Sequence, residues 1–321
     1  MDDPEVAVRP EVARRNRLGP RAIVLAVLAV VTVVAAACSS GSTTSTTTTQ
    51  GLPLPTATIP AVAKSTSIAA ALPDGVVKAG TLTIGTDPVS PPNTFTAHGS
   101  SVPVGVDIDL GVAIGQVLGL RTSFVTTPQV DIVSGVKAGR LDLGMSAIPD
   151  APSAQRTVDF VDYLLSGQGF VVKAGSGRTY SSLGALCGSS VAVDRGTPEQ
   201  AVVVAQAGAC SRGGKATLRV VPVSGLAAAA GTVGAGTVDV AVVTSEGADF
   251  AVAQAHGRLA IGGSPIGVGP LGIVAAPSGG LAQPVASALN TLITDGTYAA
   301  ILSKWGVQSG AVGTATINGG R

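Results

Sequence analysis

Two stretches of this sequence repeat one pattern: GVKAGRLDLGMS at residues 135–146 and GTVGAGTVDVAVVT at residues 231–244. In each, a helical run ends in a turn of small residues, and a hydrophobic residue and an aspartate then lead into a buried strand. The two aspartates, Asp142 and Asp239, occupy matching places. The repeat predicts that the chain contains two similar lobes.

The sequence around these stretches alternates short β-branched runs with longer helical patterns from about Leu72 onward, which predicts an α/β protein with mostly parallel sheets. Predicted strands include TLTIGT (81–86), LDLGMSA (141–147), VDVAVVT (238–244) and LGIVAAP (271–277). A helix is predicted over 106–120. We expect Asp107 and Asp109 to stabilise its first turn and to pair with basic side chains at the protein surface. Two such lobes would enclose a cleft at the carboxyl ends of their strands, where α/β sheets bind ligands.

Composition narrows the class of partner. The chain has 321 residues and a formal net charge of +1, so nucleic acid is not an expected partner. Hydrophobic residues make up 45% and charged residues 12%, a balance that supports a sizeable core. Aromatic residues contribute only 3%, so valine, alanine and glycine must do most of the packing.

The N-terminus predicts export. Arginines between residues 14 and 21 precede an uncharged run over 22–37, about the length of a signal-peptide core. The run ends in VVAAAC, so small residues stand directly before Cys38, and this resembles the lipobox of a bacterial lipoprotein. We therefore expect a lipoprotein signal peptide over 1–37, lipidation of Cys38, and an extracytoplasmic protein held to the outer face of the cell membrane. An uncleaved signal anchor is the alternative.

A Ser/Thr/Pro-rich tract, SSGSTTSTTTTQGLPLPTATIP, follows at residues 39–60. It carries no charge and little that could form a core, which is typical of a disordered linker. We expect residues 38–73 to tether a folded part that begins at about residue 74.

The remaining cysteines agree with export. If Cys38 carries lipid, Cys187 and Cys210 are left as a pair in an oxidising compartment, where a disulfide is expected and two buried free thiols are the alternative. His98 and His256 are the only histidines, and neither lies near a cysteine at ligand spacing. We expect no metal and no cofactor.

Several pieces in collinear order carry a resemblance to a known family. They include LTIGTD (82–87), PPNTF (91–95), GRLDLGMSAI (139–148), VDFVDYLLSGQGFVVK (158–173) and DGTYAAILSKWGV (295–307). From about residue 74 onward the chain resembles the extracellular solute-binding proteins of family 3, the amino-acid-binding components of ABC importers.

The resemblance implies a two-lobed, periplasmic-binding-protein-like (Venus flytrap) α/β fold, with two crossover strands and a small solute held between the lobes. Lobe 1 would combine residues 74–168 with 271–321, and lobe 2 would fill 169–270. Cys187 and Cys210 fall where related sequences carry a lobe 2 disulfide. The implied partners are an ABC permease and its ATPase in the membrane, and the protein itself is expected to be a monomer.

The family's ligand anchors are changed in this sequence. In the family, an arginine after the first-lobe strand grips the ligand's α-carboxylate by two parallel hydrogen bonds. Counting from Ser146 without a gap places Ala154 at that position, and Arg156 lies about 200° further around a helix axis, so its side chain should point elsewhere. The aspartate that usually meets the ammonium is replaced by Thr244.

These changes argue against a conventional zwitterion, because a buried charge without a partner is costly. The retained polar candidates suit a neutral or weakly charged polar solute: Asn93, Ser146, Asp150, Gly196, Thr197, Thr244 and Ser245. Gly196 and Thr197 precede a predicted helix, whose free N–H groups can bind an anion or a carbonyl.

We expect a solute-binding protein and no enzyme, with two alternatives left open. Some relatives of this fold are dehydratases acting on cyclic carboxylic acids, and such an activity would need a carboxyl general acid from among Asp87, Asp150 and Glu246. The other alternative is a sensor or scaffold lipoprotein whose lobes do not close on a ligand.

Overall fold

The structure, a computed structural model, describes residues 54–321. The predicted signal peptide over 1–37, the predicted lipid-bearing Cys38 and the first part of the linker lie outside the described residues. Within the described part, no helix combines the length and the apolar character needed to cross a membrane.

The strands follow the predicted order along the chain. Their bounds are β1 Thr81–Thr86, β2 Val89–Ser90, β3 Thr94–Thr96, β4 Pro103–Val104, β5 Arg121–Thr126, β6 Leu143–Gly144, β7 Asp159–Lys173, β8 Ser190–Asp194, β9 Arg219–Val223, β10 Val240–Thr244, β11 Leu259–Ile261 and β12 Ile266–Ala275.

The helices alternate with these strands. Their bounds are α1 Thr66–Ala69, α2 Asp74–Ala79, α3 Val106–Leu118, α4 Gln129–Lys137, α5 Pro152–Gln155, α6 Pro198–Arg212, α7 Leu226–Gly234, α8 Ser245–Gln254, α9 Ala282–Thr294 and α10 Thr297–Trp305. Short 3₁₀ turns occupy Leu183–Leu186 and Gln308–Gly310.

One sheet runs through the folded part in the order β5-β1-β6-β12-β7-β10-β8-β9, with β11 also paired to β7. Strands β5, β1 and β6 are parallel at one end, and β10, β8 and β9 are parallel at the other. The long strands β7 and β12 are antiparallel to each other and join the two parallel sets. The expectation of an α/β fold with two lobes and two crossover strands is confirmed.

The aspartates of the repeated pattern do the same work in both halves. The Asp142 carboxylate accepts a hydrogen bond from the Thr83 N–H at 2.7 Å, and the Asp239 carboxylate accepts one from the Ser190 N–H at 2.8 Å. Each aspartate also donates its own N–H to the same partner's backbone or side-chain oxygen. Each therefore fixes the register of its strand against the neighbouring parallel strand.

Two predicted strands differ in extent. Pairing in the predicted strand 141–147 is limited to Leu143–Gly144, because the chain then bends towards the cleft and Ala147 adopts a φ of 48°. The predicted strand 271–277 begins earlier, at Ile266, because its first half pairs along β7.

The last part of the predicted linker is folded. Ile59, Val62 and Ile68 pack against the main core, and the Val62 N–H donates to the Gln116 side chain on α3. Leu72 is buried. Ile59 lies at the end of the Ser/Thr/Pro-rich tract and the other three residues lie after it, so the folded part starts before the predicted residue 74.

The two sulfur atoms of Cys187 and Cys210 are bonded, which confirms the disulfide. The bridge joins the 3₁₀ turn at Leu183–Leu186 to the C-terminal end of α6, and Cys210 is fully buried in a separate core formed with Phe170 and Leu186. The bridge therefore lies within the part of the chain assigned to lobe 2 from the sequence.

Candidate ligand-binding site

A cleft of about 630 Å³ lies where the two halves of the sheet meet. The crossover strands contribute residues 166–168 and 267–271 to its walls. Asn93, Ala147 and Asp150 line it from one side, and Thr197, Thr244 and their neighbours line it from the other. This volume is in the range of small-molecule sites.

Two polar atoms in the cleft wall are buried without a partner among the described residues. They are Nδ2 of Asn93, a donor, and Oε1 of Gln168, an acceptor. Buried polar groups in proteins are normally hydrogen-bonded, so such atoms are available to a polar ligand. Asn93 was predicted as a site residue, whereas Gln168 was missed because nothing in the VDFVDYLLSGQGFVVK run shows which side of the crossover strand faces the cleft.

Thr197 and Thr244 line the cleft as the residues that cap two helices. The Thr197 hydroxyl donates to the Asp194 carbonyl at 2.9 Å and accepts from the Gln200 N–H at 3.3 Å. The Thr244 hydroxyl accepts from the Gly247 N–H at 3.2 Å. Both side chains are therefore held at helix N-termini, with the positive ends of the helix dipoles directed at the cleft.

Three predicted site residues do not line the cleft. The Ser146 hydroxyl accepts from the Asp87 N–H at 3.0 Å, the Ser245 hydroxyl accepts from the Gly167 N–H at 3.1 Å, and the Gly196 N–H donates to Gln200 Oε1 at 2.7 Å. Serine hydroxyls near strand ends commonly bind backbone groups. These residues support the loops around the cleft.

Carboxylates dominate the charge of the cleft. Its lining includes Asp150, Asp194, Glu199 and Glu246, and the only basic side chain among the described lining residues is Arg321. Glu246 is almost fully buried and accepts a hydrogen bond from the Ser166 hydroxyl on β7 at 2.7 Å. Burial raises the pKa of Glu246, and the hydrogen bond from Ser166 opposes that rise.

The region expected to hold the ligand's carboxylate contains no arginine at the cleft surface. Ala154 packs against the hydrophobic cluster around Ile132 and Phe160, and it does not line the cleft. Arg156 is exposed and also lies outside the lining. Instead, Arg321 reaches the cleft from a distant part of the sequence, and no motif in the sequence indicated this.

Asp107 supports the cleft wall from behind. It is fully buried, in contrast to the surface pairing expected from the sequence, and it accepts hydrogen bonds from the Tyr163 hydroxyl at 2.6 Å and the Ala147 N–H at 3.0 Å. Burial raises the pKa of Asp107 to about 6, and these two donors oppose the rise. Asp109 does pair with a basic residue, Lys304 at 2.8 Å, but both side chains are mostly buried and the pair does not lie on the open surface.

Within residues 54–321, no group of three or more His, Cys, Asp or Glu side chains is placed to hold a metal ion. Asp150, Asp194 and Glu246 each accept a hydrogen bond from a different part of the wall. Asp194, for example, accepts from the Gly225 N–H at 2.7 Å, on the side of the cleft opposite Asp150. The arrangement fits recognition of a polar, positively charged solute.

Residues 82–308 match the family described as bacterial extracellular solute-binding proteins, family 3. The chain belongs to this family. It is similar to an arginine-binding protein of Corynebacterium glutamicum, with 29% identity over 252 residues, 78% of this chain and 82% of the relative.

Two solved structures show the same likeness for this family 3 solute-binding protein. One, an ancestral cationic amino acid solute-binding protein, has 28% identity and a TM-score of 0.62, and the match covers 73% of this chain and 98% of that one. Another, an ancestral amino-acid-binding protein described as a precursor of cyclohexadienyl dehydratase, has 27% identity, a TM-score of 0.55 and the same coverage. A further relative is a histidine-binding periplasmic protein of Salmonella typhimurium, with 27% identity over 150 residues, 46% of this chain and 55% of the relative, and its name places that protein outside the cytoplasm. The homologues are thus binding proteins of the amino-acid type.

Proposed function

We propose that this family 3 solute-binding protein captures a cationic amino acid of the arginine class in its cleft. The observation that carries the proposal is the charge of the lining, where Asp150, Asp194, Glu199 and Glu246 face a single basic residue, Arg321. A cationic amino acid has two positive groups and one carboxylate. Its charge pattern is therefore complementary to that of the cleft.

The relatives support the same class. The C. glutamicum relative is an arginine-binding protein, and the ancestral structure binds cationic amino acids according to its description. The sequence alone favoured a neutral or weakly charged solute, because the family's charged anchors are absent at positions 154 and 244. The acidic residues that line the cleft lie outside those two positions.

Capture would proceed by closure of lobe 1, residues 74–168 plus 271–321, onto lobe 2, residues 169–270. The ligand shifts the open-to-closed equilibrium only through contacts that differ between the two states. Asn93 and Asp150 would contribute from lobe 1, and Thr197 and Thr244 from lobe 2. We propose that the loaded protein, a monomer lipidated at Cys38 on the outer face of the cell membrane, delivers the solute to an ABC permease and its ATPase.

The test is titration calorimetry with L-arginine, L-lysine, L-glutamine and L-glutamate. We expect L-arginine or L-lysine to bind most tightly. Glu199→Gln removes one cleft charge and should weaken L-arginine binding about tenfold while leaving L-glutamine binding nearly unchanged. Asp131→Asn is the matched control, because Asp131 is also an acidic residue in the first turn of a helix but is exposed and lies outside the cleft.

Tightest binding of L-glutamate would refute the proposed charge preference. An equal loss of L-arginine and L-glutamine affinity in Glu199→Gln would remove Glu199 from the proposed charge preference, since Glu199 would then meet the ammonium that both ligands carry or hold the wall of the cleft.

A dehydratase activity is a second candidate, because Glu246 is a buried carboxyl group with a raised pKa in the cleft wall. One structural relative is also described as a precursor of a cyclohexadienyl dehydratase. Nuclear magnetic resonance of a cyclohexadienyl carboxylic acid incubated with the protein would report turnover. Turnover that persists in Glu246→Gln would exclude Glu246 as the general acid.

A further inference from the structure

We propose that Arg321 is the residue that binds the α-carboxylate of the amino acid in the cleft, in place of an arginine at position 154. This inference rests on the proposed function. The guanidinium would come from the end of the 315–321 segment, far in sequence from the helix α5 that contains Ala154.

The first support is that Arg321 is placed for this role. It lines the cleft, and among the described residues it is the only lining side chain with a positive charge. The ion pairs formed within residues 54–321 are Arg178–Asp239 and Lys304–Asp109, so the Arg321 guanidinium is not committed to a carboxylate of the described part.

The second support is that the 315–321 segment is fixed along β7. Asn318 exchanges two hydrogen bonds with Phe160, in which the Phe160 N–H donates to Asn318 Oδ1 at 2.8 Å and the Asn318 N–H donates to the Phe160 carbonyl at 2.9 Å. The Asp162 N–H donates to the Thr316 carbonyl at 2.9 Å. In return, the Asp162 carboxylate accepts from the Thr316 hydroxyl at 2.6 Å and from the Gly319 N–H at 3.1 Å.

The residue before Arg321, Gly320, is held at the edge of the cleft by its own hydrogen bonds. The Gly320 N–H donates to Asp150 Oδ2 at 2.8 Å, and the Gly320 carbonyl accepts from Gln155 Nε2 at 3.0 Å. Gln155 also donates to Asp150 Oδ1 at 2.8 Å. Gly320 is therefore held by α5 and by the loop before it, and the next residue, Arg321, emerges beside the cleft residue Asp150.

Glycine is required for this approach. A Cβ added at Gly320 would collide with the Asp150 backbone, and one added at Gly319 would collide with Asp162 and Thr316. The close packing of two glycines thus positions the arginine that follows them.

The charged groups at the two ends of the ligand face groups of opposite charge in the cleft. A guanidinium presents two parallel N–H groups that fit a carboxylate, and such bidentate pairs are among the stronger hydrogen-bonded contacts in proteins. With Arg321 on the carboxylate, the ligand's ammonium and cationic side chain are left to face the acidic residues Asp194, Glu199 and Glu246.

The experiment compares L-arginine with agmatine, which is arginine without its carboxylate, by titration calorimetry. In Arg321→Ala we expect L-arginine affinity to fall about 10- to 100-fold and agmatine affinity to stay the same or rise. Arg321→Lys should give an intermediate loss, because a lysine cannot form the bidentate pair. Retained agmatine binding shows that the cleft of each variant is intact.

Arg156→Ala is the matched control, since Arg156 is the other arginine close to the expected anchor position. It should leave both affinities unchanged. A selective loss of L-arginine affinity in Arg156→Ala, and none in Arg321→Ala, would overturn the inference. An equal rise for both ligands in Arg321→Ala would also overturn it, because Arg321 would then be a competing charge in the cleft.

A second pair of variants tests whether the 315–321 segment positions Arg321 at the cleft. Gly320→Ala should lower L-arginine affinity selectively by displacing Arg321, whereas Gly313→Ala, where an added Cβ meets no atom within 4 Å, should not. A neutral amino acid could bind best, and Arg321→Ala could weaken it more than the same compound without its carboxylate. In that case the role of Arg321 stands, and only the proposed preference for a cationic solute fails. Absence of binding by any amino acid would overturn both proposals.

Discussion

Replacing Gln168 with methionine should change stability and ligand binding in opposite directions. Gln168 lies on the crossover strand β7 and lines the cleft, and its buried Oε1 has no partner among the described residues. Methionine has a similar length and shape and no carbonyl group. The variant therefore removes an unpaired polar atom while conserving volume.

The magnitude of each effect follows from the state of that carbonyl. An unsatisfied buried acceptor costs about 1–3 kcal/mol, so Gln168→Met should raise the free energy of unfolding of the unliganded protein by about 1 kcal/mol after losses in packing. A hydrogen bond from a charged ligand donor contributes about 1.5–3 kcal/mol, so L-arginine affinity should fall by roughly 10- to 100-fold. Urea unfolding and titration calorimetry measure the two quantities.

Gln283→Met on the exposed part of α9 makes the same chemical change away from the cleft and should alter neither quantity by much. The reasoning would be refuted if Gln168→Met lost stability and affinity together, because Gln168 would then be a structural residue. Unchanged affinity would show that its carbonyl does not meet the ligand.

Two further predictions concern stability. The Cys187–Cys210 bridge closes a loop with a sequence separation of 23, so its reduction should lower the free energy of unfolding by about 3.4 kcal/mol and the melting temperature by about 6 °C. An unchanged melting temperature after reduction, with both thiols shown to be free by alkylation, would contradict this estimate. The raised pKa of Asp107, about 6 against 3.8, means that the folded protein holds this proton where the unfolded chain has lost it, so this contribution to stability is complete below pH 3.8 and is lost as pH rises to about 6. Across this window urea unfolding should show a loss that is up to about 3 kcal/mol larger in the wild type than in Asp107→Asn, where Asp162 still titrates, and equal pH profiles would contradict the assignment.

The fold was predictable from the sequence because its decisive features are local. Asp142 and Asp239 each directly precede a strand, so the repeated pattern around them was visible along the chain and predicted both strands, although their hydrogen-bond partners Thr83 and Ser190 are distant in sequence. The strand 141–147 was overestimated because the bend after Gly144 depends on the hydrogen bond from the Ala147 N–H to Asp107. That partner is distant in sequence, so the local pattern gave no sign of it.

The candidate site was less predictable, because a polar side chain that already forms a hydrogen bond with the backbone is not free to bind a ligand, and the sequence does not show which side chains do so. Ser146 and Ser245 had the right positions, but their hydroxyls bind the N–H groups of Asp87 and Gly167. Asn93, Asp150, Thr197 and Thr244 do line the cleft, since strand ends and helix starts converge there. Arg321 was missed because its location depends on pairing between segments more than 150 residues apart.

The position of Arg321 is linked to the stability of the region around α5, which contains Ala154 at the family's usual anchor position. Asp150 and Asp162 are both buried, and burial, with a smaller effect of the neighbouring Asp150 charge, raises the pKa of Asp162 to about 6. The donors that the 315–321 segment gives these carboxylates are the Thr316 hydroxyl and the N–H groups of Gly319 and Gly320. Without them, two adjacent buried carboxylates would lose most of their hydrogen bonds, which is costly. The hydrogen bonds that stabilise this part of lobe 1 are therefore the same ones that place Arg321 at the cleft, and a variant that releases the segment should lose stability and carboxylate recognition together.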